Sequence, residues 1–179
     1  MRRIKVALDC DIPERMAPVL DGMYGFMGFE FYAVPKLVPP GSPDEFWADA
    51  FKRFGGHVAI SGDCRIATTP HKALAFIDNQ FIAFFMQSPW HQMPIHLKAA
   101  HIIHDWPAIE AKIKEAKRGT CWRIPCNAKK VGERPLELRL TPTELKALEI
   151  PHHVLEAVRN NQATRPLQGS RSSTRMRRR

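Results

Sequence analysis

The stretch Ile4-Lys5-Val6-Ala7-Leu8-Asp9-Cys10-Asp11-Ile12-Pro13 decides the fold. Five residues, apolar apart from Lys5, read as a buried strand; two acids then mark its end, and Pro13 suits the first turn of a following helix. A strand that runs through an acidic turn into a helix is the opening of an α/β unit.

Outward from that stretch the same alternation repeats. From Glu14 to about Gly28, Met16, Val19, Leu20, Met23, Phe26 and Met27 recur at three and four residues and predict one apolar helical face. Phe29 to Val34 is aromatic and β-branched, a second strand, and the Pro-Pro-Gly-Ser-Pro segment of residues 39–43 ends it. Asp44 to Phe54 reads as a helix with Asp44 and Glu45 at its positive end, His57 to Ser61 as a third strand leading into Gly62-Asp63. Pro70 to Asn79 is a further helix and Phe81 to Met86 a fourth strand. The expected fold is a three-layer α/β/α domain with a central, mainly parallel sheet of four to five strands.

Beyond this the pattern weakens. Met93 to Lys117 is helical in composition, but Pro107 is expected to split it in two, and Cys121 to Ile124 reads as a short strand at a sheet edge. Leu136 to Leu140 reads as an isolated strand, with a small capped helix from Thr141. The expected organisation is a domain over residues 1–125, an extension over 126–162, and a basic, disordered tail over 163–179 that holds six arginines. No internal repeat and no phosphate-cradling glycine loop is visible: Gly22, Gly25 and Gly28 lie in a helical pattern.

With 27 Lys and Arg against 18 Asp and Glu, the formal charge is +9, which favours a polyanionic partner such as nucleic acid. An apolar share of 44% and a charged share of 25% exclude fibrous and wholly disordered classes. No long apolar run suggests a membrane span or secretion signal, so a cytoplasmic protein is expected, with Cys10, Cys64, Cys121 and Cys126 as thiols.

The acids carry the chemistry. In an open parallel sheet, ligands bind beyond the carboxyl ends of the strands. Asp9 closes the first strand there, Asp63 follows the third, and Asp44 and Glu45 open the helix that leads into the third. Carboxylates crowded into one crevice repel unless a hard cation compensates them, and metal so held is a common way to hydrolyse phosphodiesters. Taken singly, Asp9 and Asp63 read better as turn formers or caps and Asp44 as an N-cap; their shared placement at the carboxyl edge of the strands favours a site. His91, His96, His101 and His104 punctuate the late helical region without a spacing that joins all four; they read as ordinary partly buried or surface residues. Trp47, Trp90, Trp106 and Trp122 read as core or interface residues before base-stacking platforms, and Cys10 and Cys64 as small buried packers.

Asp9-Cys-Asp-Ile-Pro, Pro43-Asp44-Glu45-Phe46-Trp47, and Val58 to Ile66 through Gly62-Asp63-Cys64-Arg65, followed by Pro70, together resemble the PIN-like domain family, including the VapC-type toxin ribonucleases. The resemblance covers roughly Ile4 to Met86. It implies a Mg²⁺- or Mn²⁺-dependent ribonuclease acting on RNA, the toxin of a type II toxin–antitoxin pair with a cognate antitoxin as partner, and a possible homodimer. It implies Asp9 as the first acid, Asp44 or Glu45 as the second and Asp63 as the third. Arg65, Lys72 and Arg15 are candidate phosphate contacts, Arg65 being equally readable as a surface partner of a neighbouring carboxylate. The chain departs from the family where a fourth acid is expected: Gln87 and Ser88 follow the fourth strand, and Asp11 is the candidate substitute ligand. That gap keeps a catalytically degenerate binding module as the alternative, and a functional role for the basic tail as a third.

Overall fold

Short apolar runs that alternate with amphipathic segments bury best as a sheet sandwiched between helices, and the chain adopts this form. The computed structural model describes residues 3–63, 65–66, 69–87, 89–125 and 136–137, all within the compact unit Met1–Leu148. Strand β1 (Ile4–Leu8) is followed by helix α1 (Met16–Tyr24), β2 (Phe29–Ala33), α2 (Asp44–Arg53), β3 (Val58–Ser61), α3 (Pro70–Asp78), β4 (Ile82–Met86), α4 (Ile95–Glu115), β5 (Thr120–Ile124) and β6 (Leu136–Glu137).

The strand order is β2-β1-β3-β4-β5-β6, with β1 to β5 parallel and β6 antiparallel to β5. The chain moves outward from β1 to β2 and then crosses back to β3 on the other side of β1. The carboxyl ends of β1 and β3 therefore flank the point where the winding reverses, which is where an open α/β sheet forms a crevice. Ala7 pairs with Ala59 and Leu8 with Ile60, and the Asp9 N–H donates to the Ile60 carbonyl at 3.0 Å, so the two strand ends are level.

Two apolar layers follow from the two-residue period of the strands. Val6, Leu8, Val58, Ile60, Ile82, Phe84 and Met86 join α1 and α4; Ala7, Ala59, Ala83 and Phe85 join α2 and α3. Trp106 of α4 anchors the first layer, stacked on Tyr24 and edge-on to Phe29 and Phe31. Trp47, Phe51 and Phe76 anchor the second, and all four tryptophans are buried.

Four expectations are corrected. The first helix is shorter than Glu14 to Gly28: a 3₁₀ turn, Gly25–Met27, ends it, and Gly28 at φ +90° reverses the chain. Its apolar face is also divided, since Met16 and Leu20 face the sheet whereas Val19, Met23, Phe26 and Met27 are exposed. Pro107 does not split the late helix, which runs unbroken for 21 residues. A proline there leaves the Ile103 carbonyl without its N–H donor, and the Tyr24 hydroxyl donates to that carbonyl at 3.3 Å. Finally, β5 is not an edge strand, nor is β6 isolated: Arg123 pairs with Leu136 and Trp122 with Glu137. Residues 138–140, the helix from Thr141 and the tail of residues 163–179 lie outside the described residues.

Candidate active site

Each acid reaches the crevice because a strand or helix ends there. Asp9 is the first residue beyond β1 and is buried; its carboxylate accepts from the Cys10 N–H and from the hydroxyl of Ser61, the last residue of β3. The Ser61 Oγ in turn accepts from the Asp63 N–H at 3.0 Å. One hydroxyl therefore links Asp9 to Asp63 across the two strand ends.

Asp63 is also buried, and its turn is an Asx turn: Oδ1 accepts from the Arg65 N–H at 2.9 Å. The Arg65 guanidinium closes on the same carboxylate, Nε to Oδ1 at 2.8 Å and Nη2 to Oδ2 at 2.9 Å, a bidentate pair. Asp44, in the first turn of α2, accepts from Lys72 Nζ at 2.8 Å and from Trp47 Nε1 at 3.4 Å, which ties the starts of α2 and α3 together. Glu45 stands beside it, half-buried, and acts on the Lys72 ammonium through its charge. Asp11 lies across the crevice, with His91 Nδ1 at 4.0 Å from its Oδ1 and Trp90 Nε1 donating to its carbonyl at 3.1 Å. Gly62 permits this approach, because a Cβ there would lie 2.4 Å from Trp90 Nε1 and 2.6 Å from Asp11 Cβ.

The electrostatics of the acids diverge. Burial pushes the Asp9 carboxyl above its ordinary value; the hydrogen bonds from Ser61 and Cys10 oppose that, and the charge of Asp44 adds to it. Burial acts the same way on Asp63, but the Arg65 hydrogen bonds and charge, with help from Lys72, outweigh it and hold that carboxyl below its ordinary value. Lys72 is raised, first by its hydrogen bond to Asp44. Cys10 corrects an expectation: the residue is exposed, and partial burial of its thiol, then the charges of Asp9, Asp11 and Asp44, push it up to about 12. Cys10 and Cys121 are free thiols, and Cys64 lies outside the described residues.

The remaining candidates divide. Arg65 takes the carboxylate-pairing role that was its alternative, and Lys72 does the same with Asp44. Arg15 is exposed at the start of α1, and among the described residues no ion pair joins it to the acids. Gln87 does not stand in for a fourth acid. With its amide oxygen turned toward Arg123 of β5, it accepts from Nε at 3.3 Å and Nη1 at 3.2 Å. His101 and His104 bracket Asp105 of α4, with Nδ1 at 3.7 and 3.1 Å from its oxygens. Ser61 was missed from sequence. Its only signal is a hydroxyl at the end of an apolar strand, two residues before an acid.

Hard oxygen donors in charge excess fit Mg²⁺ or Mn²⁺: Asp9, Asp11, Asp44, Glu45 and Asp63 share this rim with two cations, Lys72 and Arg65. In the arrangement seen, those two cations occupy Asp44 and Asp63, and among the described residues no three His, Cys, Asp or Glu side chains lie close enough to hold a metal. The donor chemistry fits a divalent cation, while the present pairing does not close around one.

A doubly wound α/β domain with acids gathered at its reversal point has its ligand-binding crevice there. Residues 4–88 match the family model described as PIN like domain, and the chain carries a PIN-like domain over that span. A PIN-like domain suggests a nuclease-type superfamily. Neither a curated protein nor a solved structure matches the chain. No described helix is long and apolar enough to cross a membrane.

Proposed function

We propose that the domain is a metal-dependent endoribonuclease, hydrolysing phosphodiester bonds of RNA at the rim formed by the ends of β1 and β3. The observation that carries this reading is the hydrogen-bonded chain Asp9–Ser61–Asp63 at the reversal point, with Asp44 near enough for its charge to raise Asp9. Asp9, Asp44 and Asp63 are the residues that would hold Mg²⁺ or Mn²⁺, flanked by Asp11 and Glu45. Bound there, the ion supplies charge neutralisation of the phosphate and acidification of a water molecule. Ser61 keeps the two strand-end acids in register, and Lys72 and Arg65 place positive charge beside them. The formal charge of +9 attracts the polyanion.

Within this reading the chain acts as a toxin with a cognate antitoxin as its protein partner, the form that the family resemblance suggests. Expression of the wild-type chain is then expected to arrest growth, and expression of the Asp63→Asn chain to permit it. A second reading, a binding module without catalysis, has one observation in its favour: the residue that follows β4 is Gln87, a neutral amide, where the family expects an acid.

The decisive test is cleavage of RNA by the full chain with Mn²⁺ or Mg²⁺ and with a chelator. Since outer-shell partners of a bound metal are worth about 10–100-fold, Asp9→Asn and Asp63→Asn should each lower cleavage by about a hundredfold or more while the far-ultraviolet circular dichroism is unchanged. Retained RNA affinity with no metal-dependent product, in the wild type, would establish the binding module instead.

A further inference from the structure

The two pairs at the rim are asymmetric in exposure. The Arg65 side chain is 76% exposed and the Asp63 side chain 10%; for Lys72 and Asp44 the values are 35% and 18%. The carboxylates are thus the fixed half of each pair: that of Asp63 accepts from the Arg65 N–H while the Asp63 N–H is anchored on the Ser61 hydroxyl, and that of Asp44 accepts from Trp47 Nε1; the cations are the more exposed half, Arg65 more so than Lys72. Because Asp63 is buried, its guanidinium can leave only when another cation takes the carboxylate in its place, and the exposed head group then trades one anion for another. The planar fork that spans the two oxygens of Asp63 also matches two oxygens of a phosphate, and an ammonium serves either anion as a point charge.

We propose that Arg65 and Lys72 are exchangeable counterions: they neutralise Asp63 and Asp44 in the free protein and are released to the phosphates of bound nucleic acid when a divalent cation takes those carboxylates. This rests on the metal-dependent reading above and goes beyond it by coupling two ligands. Metal entry turns two internally satisfied cations into phosphate ligands. Phosphate binding, by drawing the same cations off the acids, prepares the rim for metal. Each ligand therefore strengthens the other by the same factor. The charge balance agrees, since the rim acids outnumber Lys72 and Arg65 and only a doubly charged ion leaves both cations free to turn outward.

The test is titration calorimetry of Mn²⁺ into the full-length protein, alone and with a 2′-O-methyl phosphorothioate oligonucleotide that resists cleavage. In wild type the oligonucleotide should tighten Mn²⁺ binding by about tenfold, a typical coupling. Arg65→Gln should bind Mn²⁺ more tightly than wild type without oligonucleotide, and the tightening that the oligonucleotide adds should shrink toward none; Lys72→Met should follow with smaller changes. Arg65→Lys keeps the charge and loses the fork, so an intermediate result is expected from it, and it serves if the glutamine variant does not fold. Equal Mn²⁺ affinity in wild type and Arg65→Gln, or undiminished coupling in that variant, overturns the exchange and leaves the metal reading standing. No Mn²⁺ binding by either protein removes the metal reading and this proposal together.

Discussion

The end of β1 and the end of β3 present the same residue type, one serine hydroxyl apart, in opposite electrostatic states. Asp9 is buried against Ser61 and Cys10, with no cation bound to it in the described contacts, and its carboxyl is pushed up; Asp63 is buried against a guanidinium and is pulled down. Burial is the largest single influence on both, so the difference comes from what the fold sets beside each carboxylate. A pair of acids driven apart in this way lets one give up its proton readily while the other holds it.

The largest effect should come from cutting the link between the two ends. Ser61→Ala removes a donor to Asp9 and an acceptor for the Asp63 N–H at a buried position, and should cost about 1–3 kcal/mol in urea denaturation. The same variant should raise Asp9 further, read by carboxyl carbon resonances against pH; an unshifted Asp9 titration would mean that Ser61 does not hold it.

A smaller effect of opposite sign should separate the two acids. Asp63 lies below its ordinary 3.8, so its contribution to stability is present above that pH and lost as pH falls through the folded value. Asp9 lies above 3.8, so its ionisation opposes folding as pH rises through the ordinary value toward the raised one. Asp63→Asn should therefore destabilise more at pH 7 than at pH 3, and Asp9→Asn less at pH 7 than at pH 3. Urea midpoints at both values check this, and shifts in the same direction would contradict the contrast.

The smallest effect is a surface readout of the same field. With its thiol near 12, Cys10 should react with iodoacetamide at pH 8 about a hundredfold or more slowly than a free cysteine, judged by the thiolate fraction. Asp44→Asn should speed it by a factor of about two, since the charge of Asp44 is the smallest of those that raise the thiol and a shift of a few tenths of a pKa unit changes the thiolate fraction about that much. Peptide mass mapping resolves the site, and an unchanged rate would mean that Asp44 does not act on the β1 end.

Much of this was legible in the chain because the relevant signals are local. Strands buried on both faces read as continuous apolar runs, as Val58 to Ser61 and Ile82 to Met86 do, and Asp9 and Asp63 follow directly from where two such runs end. What sequence did not disclose depends on distant partners. The role of Ser61 arises from Asp9, 52 positions earlier, and no spacing announces it. Arg65 carried two readings until Asp63 turned toward it. The apolar positions of the first helix satisfy one periodicity, yet the sheet lies under Met16 and Leu20 only, leaving Phe26 85% exposed.

The hydroxyl of Tyr24 on the Ile103 carbonyl gives the long helix a tertiary dependence. A chain that had made only neighbouring contacts would meet Pro107 as a break, with two short and marginal helical segments on either side. Their union draws on a residue 79 positions away, so the continuity of α4 past Pro107 is a tertiary property and not a local one. The rod that covers one side of β4 and β5 is thus completed by the first helix of the chain, and a phenol without its oxygen at position 24 would hand the decision about its continuity back to the proline.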